Sequence, residues 1–132
     1  MSQTLIQKIL SRASNRPEVK VGEIVTCDVD IAMILDSGGP RKIWPRLKQL
    51  GVGVYDPEKV IVVADHFVPA ADPQSAAILK LTRDFVKNYD IKHFYDMEGI
   101  CHIVMAENGH LQPGLFCCGG DSRWSFRGRS FR

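Results

Sequence analysis

The sequence predicts an α/β fold with a largely parallel sheet, and three observations predict it. Lys59-Val60-Ile61-Val62-Val63-Ala64 is β-branched and apolar on both faces, the pattern of a central strand covered above and below. Strand-like and helix-like stretches alternate along the chain, as they do where parallel strands are joined by crossover helices. Polar residues able to do chemistry, Asp65-His66 and Asp121-Ser122, fall just after strand-like runs, where open α/β sheets carry their sites.

Ser2 is placed to cap a first helix whose Leu5, Ile6, Ile9 and Leu10 share one face, and Asn15-Arg16-Pro17 ends it. Val21 to Asp30 reads as a strand with a polar edge. Ile31-Ala32-Met33-Ile34-Leu35 is a short apolar run that fits strand or helix equally. Asp36-Ser37-Gly38-Gly39-Pro40 is a loop, Arg41 to Leu50 is helical, and Gly51 stops it. After the 59–64 strand, Asp72 and Pro73 open a helix to Asn88 whose Ala76, Ala77, Leu79, Leu81, Phe85 and Val86 suit packing on a sheet. His93-Phe94-Tyr95-Asp96 is a short strand. A helix starts near Gly99 and closes at Asn108-Gly109, and Leu115 to Asp121 is a last strand ending in glycines.

At 132 residues the chain is one domain or part of one, long enough to bury a core. Its formal charge of +2 is uneven: Arg123, Arg127, Arg129 and Arg132 lie in an acid-free tail, and without them the balance is 2 − 4 = −2. No apolar run approaches the length of a membrane span, and Met1 to Leu10 lacks the apolar core of a signal peptide. A cytoplasmic protein follows, with Cys27, Cys101, Cys117 and Cys118 expected as reduced, buried thiols because none forms a CxxC pair.

Several groups carry potential chemistry. In Asp65-His66 a carboxylate beside an imidazole can orient it and stabilise its charged form, making a general acid; the same pair can also be a loop satisfying its own backbone. His102, near a helix N-terminus, is a further candidate, with a structural role as the alternative; Glu107, five residues on, does not share its helix face. The Asp36-Ser37-Gly38-Gly39 loop either offers backbone N–H groups to a carboxylate or is a plain turn. Asp121-Ser122 is a strand-end site or another turn.

Together these segments resemble the aconitase superfamily, specifically its 3-isopropylmalate dehydratase large-subunit and homoaconitase branch. Ala64-Asp65-His66-Phe67-Val68-Pro69 is similar to the family's D-H-x-x-P segment. Gly99-Ile100-Cys101-His102, with Glu107-Asn108-Gly109 and Pro113-Gly114, resembles its G-[IV]-x-H…E-x-G…P-G block, and Gly120-Asp121-Ser122 resembles the start of its G-D-S-H-T motif. Order and spacing agree across residues 1 to about 122.

The resemblance implies a partial three-layer α/β/α domain of the aconitase type and a hydro-lyase acting on a hydroxy di- or tricarboxylic acid such as 3-isopropylmalate. It implies a [4Fe-4S] cluster as Lewis acid and, as partner, a small swivelling-domain subunit that carries the proton-abstracting serine. By the same resemblance, Asp65-His66 protonates the leaving hydroxyl and His102 is a catalytic histidine near the substrate. Asp121 and Ser122 stand beside the cluster and the substrate, and Asp36 and Ser37 contribute to a substrate-contact loop.

Two departures qualify this. The family's cluster cysteines lie in its later two-thirds, and the four cysteines here match none of them, so no residue of this chain is expected to hold the metal. After Ser122 the family has His, whereas this chain has Arg123 and an unrelated tail. Back-translated as TGG-AGC-TTT-CGG-GGC-CGC and shifted by one base, Trp124 to Arg129 becomes Gly-Ala-Phe-Gly-Ala, the family's next block. The expected organisation is therefore a family segment over 1–122 and an out-of-frame basic tail over 123–132, giving a truncated, inactive chain that binds no cluster and is prone to self-association. The alternative is a non-catalytic fragment that binds a dicarboxylate or a partner. Nucleic acid and membrane are not expected partners: four terminal arginines without a recognition motif are weak support for a nucleic-acid binder.

Overall fold

A computed structural model describes residues 3–120. Asp121, Ser122 and the arginine-bearing tail lie outside the described residues, as does Ser2, the expected helix cap. The elements in chain order are α1 (Leu5–Ala13), β1 (Ile31–Leu35), α2 (Gly39–Leu50), a 3-10 turn (Pro57–Lys59), β2 (Val60–Ala64), α3 (Pro73–Asn88), β3 (His93–Asp96), α4 (Cys101–Glu107) and β4 (Cys117–Gly119). The four strands form a parallel sheet in the order β3-β2-β1-β4. The expected class, α/β with a parallel sheet, is what the chain forms.

The connections explain where the helices lie. β1 to β2 and β2 to β3 step one way across the sheet, whereas the connection through α4 returns to the far side of β1. Parallel crossovers keep one hand, so reversing the step puts α4 on the opposite face from α2 and α3. The two cores show this. Met33, Leu35, Ile61 and Val63 pack on Cys101, Val104 and Met105 of α4. Val60 and Val62 pack with Phe85 and Ile91, against partly buried Ile34, Trp44 and Leu47. Every residue of β2 is consequently buried, as its two-sided apolar pattern predicts, and each fully buried Val or Ile contributes about 1.5–3 kcal/mol of transfer free energy.

Helix boundaries follow local chemistry. Thr4, not Ser2, caps α1, in a capping box with Gln7. Asp72 caps α3 through the Ser75 N–H, and Pro73 occupies the first turn. Gly51 ends α2 in the left-handed region at φ 67°. Gly39, at the start of α2, has no room for a side chain, because a Cβ there would lie 1.9 Å from Ile34 Cγ2.

Three expectations are corrected. Val21 to Asp30 forms no strand: Gly22 turns at φ 85°, and Val21 and Ile24 are 96% and 97% exposed. Its β-branched residues have strand propensity, but no described strand pairs with them. Asp30 instead ties the sheet together, accepting from Phe116 N–H at 2.7 Å and pairing with Arg12 of α1. Burial raises the Asp30 carboxyl pKa, but the Arg12 contact and the Phe116 N–H outweigh it and hold the pKa below the ordinary value. The sheet face of α3 is Ser75, Leu79, Thr82 and Phe85, while Ala76 and Ala77 are exposed. Ser75 and Thr82 are tolerated there because their hydroxyls donate to Asp72 and to the Ile78 carbonyl. Of the four free cysteines only Cys101 is buried, and Cys118 is exposed.

A second polar cluster lies on the α4 side of β3. Tyr95 Oη is 2.6 Å from His110 Nε2, and the His93 and His110 rings meet edge to face at 5.0 Å. Burial, then the neighbouring His93 charge, push the His110 pKa below its ordinary 6.5. The unfolded chain therefore binds a proton that the folded chain resists, and stability falls as pH drops below about 6.5 through the folded value. Melting of the chain between pH 7 and pH 5 should thus lose less in the His110→Gln variant than in the parent; an unchanged pH slope would reject this linkage.

Candidate functional site

β1 and β2 are adjacent parallel strands in register, with Leu35 beside Val63, so the residues that leave their carboxyl ends emerge side by side. Asp36 is the first residue past β1 and extends the ladder by donating its N–H to the Val63 carbonyl at 3.2 Å. Asp65-His66 is the first pair past β2. The chain brings all three together, and among the described residues Asp36, Asp65 and His66 are the only group of three or more His, Cys, Asp or Glu whose ligating atoms lie within 4.8 Å of one another.

The geometry centres on one imidazole nitrogen. His66 Nδ1 is 2.5 Å from Asp65 Oδ1 and 3.6 Å from Asp36 Oδ1. Two carboxylates beside Nδ1 require a proton there, which leaves Nε2 as the ring atom free to exchange one. The ring is 45% exposed, whereas the Asp65 side chain is 7% and Asp36 0% exposed. The two acids are thus enclosed supports and the imidazole is the accessible group.

Asp65 has a second partner. Its Oδ2 accepts the Cys101 N–H at 2.8 Å, at the start of α4. Burial raises the Asp65 pKa, but the Cys101 N–H, with further contributions from His66 and the Cys101 side chain, holds the carboxyl below its ordinary value. Asp65 is thereby held as a carboxylate facing the His66 ring. His102 follows Cys101 directly and its Nδ1 lies 3.1 Å from Cys101 Sγ. It is linked to the Asp65-His66 pair through the Asp65–Cys101 hydrogen bond.

Beside these groups is an open cleft of about 300 Å³ lined by Asp65, Val68, Pro69, Met97, Gly99 and Ile100. Met97, at φ 65°, and Gly99, at φ 132°, turn the chain from β3 into α4 around it. That cleft lies past β2 and β3; the sheet order reverses elsewhere, between β1 and β4, where open α/β sheets have a second crevice beyond their carboxyl ends. Asp36 stands at one side of it and Gly120, whose N–H donates to the Met33 carbonyl, at the other. Ser37 is half-buried in the turn before α2. Asp121 and Ser122, the other expected strand-end residues, lie outside the described residues.

Sequence reasoning missed the contact of Asp36 with the 66–67 backbone and that of Asp65 with Cys101, which span 30 and more residues of chain. The available signal was that acids directly past two neighbouring parallel strands must stand at one level. The cysteines fit no cluster. Cys101 and Cys117 pack on the α4 face of the sheet. Cys118 follows Cys117 on a strand and so turns to the opposite face, where its thiol pKa is raised by burial and by Cys27. Among the described residues no three cysteines bring their sulfurs within 4.8 Å of one another.

No family model matches the chain. Individual proteins do. The 3-isopropylmalate dehydratase large subunit 1 of Methanopyrus kandleri is 44% identical over 124 residues, which is 92% of this chain and 29% of the relative. The 3-isopropylmalate dehydratase large subunit of Aquifex aeolicus is 40% identical over 124 residues, 92% of this chain and 28% of that protein. The methanogen homoaconitase large subunit of Methanocaldococcus jannaschii is 40% identical over 120 residues, 90% and 28%. The chain spans under a third of the length of these relatives. Over that span its curated homologues are 3-isopropylmalate dehydratase and homoaconitase large subunits, 40–44% identical to it.

Proposed function

We propose that this chain supplies the proton-delivering wall of a hydro-lyase site for a hydroxy di- or tricarboxylic acid of the 3-isopropylmalate type. One observation carries the reading: Asp65 and Asp36 converge on Nδ1 of a half-exposed His66, at the carboxyl ends of adjacent parallel strands. That arrangement turns Nδ1 toward the two carboxylates and leaves Nε2 of the half-exposed ring for proton exchange with a ligand. In the dehydration direction Nε2–H gives its proton to the departing hydroxyl, which leaves as water. In hydration the neutral Nε2 takes a proton from the incoming water. Asp65 stabilises the charged ring and fixes its tautomer; it does not itself transfer the proton. His102, tied to Asp65 through Cys101, is the second histidine of the same wall.

Expelling a hydroxide from carbon also calls for an electrophile. In the family we assign that role to a [4Fe-4S] cluster, and its thiolate ligands to residues other than the four cysteines here, no three of which bring their sulfurs together. The base that removes the carbon-bound proton belongs, on this reading, to a small-subunit partner, in keeping with relatives named as large subunits. Asp121 and Ser122 complete the rim, Ser37 contributes to the turn facing the ligand, and the protein works in the cytoplasm.

The test replaces the matched segment of the Methanopyrus kandleri large subunit by this chain's residues and pairs the chimaera with its small subunit. Anaerobic hydration of 2-isopropylmaleate is the expected activity. A folded, cluster-loaded chimaera without turnover would contradict the proposal.

A further inference from the structure

Asp36 has the least ordinary environment in the site. It is a carboxylate with 0% exposure, one residue past β1, thirty residues away in sequence from the groups it holds. Its oxygens accept the His66 N–H, at 3.3 Å to each, and the Phe67 N–H at 3.0 Å. Its Oδ1 is 3.6 Å from His66 Nδ1. A buried carboxylate persists only where its charge is offset by hydrogen bonds, and here those bonds come from the backbone of the loop that carries the candidate acid. The side chain is closed off from the cleft and does not line it.

We propose that Asp36 is a positioning residue rather than a substrate ligand: it holds the 66–67 backbone so that the His66 ring stays beside Asp65 with its Nδ1 protonated. Asp65 alone fixes one ring atom but neither of these two amides. Without Asp36 the loop past β2 has two partly buried N–H groups left without their acceptor and turns away from β1, taking the imidazole with it. This inference rests on the reading of His66 as the acid.

The experiment uses the 132-residue chain and needs no substrate. Hydrogen–deuterium exchange is followed at the His66 and Phe67 amides, and the imidazole nitrogen signals of His66 are identified by their loss in the His66→Asn variant. Asp36→Asn keeps the shape but replaces one acceptor by a donor. The expected result is tenfold or greater acceleration of exchange at His66 and Phe67, beyond any change at Val62 and Val63, with redistribution of His66 between its two tautomers. Asp65→Asn should change the imidazole and the Cys101 amide while leaving the 66 and 67 amides slow. An Asp36→Asn chain that is folded and unchanged at those amides and at the ring would overturn the proposal. If that variant does not fold, the parent decides: His66 and Phe67 amides exchanging as fast as exposed ones overturn it, and protected ones support it. The two proposals fail separately, because a chimaera that keeps its rate with His66→Asn removes the catalytic reading without altering these exchange rates.

Discussion

His66→Asn in the chimaeric enzyme should lower kcat about 10²- to 10⁴-fold while leaving KM little changed. A positioned acid contributes on that order to a proton-transfer step, corresponding to roughly 2.7–5.4 kcal/mol of barrier. Asparagine has similar length and retains the backbone N–H that Asp36 accepts, and the side chain is half-exposed, so the fold should tolerate the change. What is lost is the ring nitrogen that this reading makes the proton donor. Steady-state kinetics separate the alternatives. A fall in kcat with KM intact marks an interaction made in the transition state, whereas a rise in KM with kcat intact would make His66 a binding group and refute its assignment as acid.

Phe85→Ala should destabilise the chain by about 3–5 kcal/mol, the cost of emptying a large buried aromatic site. Phe85 is 0% exposed and joins α3 to the sheet under Val60 and Val62. Trp44 and Tyr89 meet its ring edge to face, with centroids 5.7 and 5.0 Å away, so truncation loses specific ring contacts as well as burial. Small domains are stable by only about 5–15 kcal/mol, and the substitution removes a large part of that. Calorimetric melting should show the midpoint lowered by roughly 10 °C or more. A shift of a degree or two would mean that the α2–α3 layer does not stabilise the sheet.

The parts of the fold legible in the sequence are those in which local pattern and tertiary environment agree. The two-sided apolar run of β2 has one physical outcome, a covered central strand. Asp72-Pro73 at the start of α3 and Gly51 at the end of α2 satisfy helix termini with their own atoms, so both boundaries were readable. Val21 to Asp30 was misread because strand propensity says nothing about whether a neighbour is available to pair. In α3, Ser75 and Thr82 were overlooked as sheet-facing because their hydroxyls are satisfied locally, which hydrophobicity does not register. At the site, Asp65-His66 was visible as a pair adjacent in sequence. The role of Asp36 was not, since it arises only when β1 and β2 lie side by side and bring residues thirty apart to one level.

On the proposed reading, this polypeptide carries the imidazole side of a dehydratase site and draws its electrophile from elsewhere. The most direct measurement is anaerobic reconstitution of the purified 132-residue chain with iron and sulfide, followed by its visible absorption and by an assay for isopropylmalate dehydration. Cysteines of which no three converge predict no cluster spectrum and no turnover. A stable cluster accompanied by turnover of a hydroxy diacid would contradict the account.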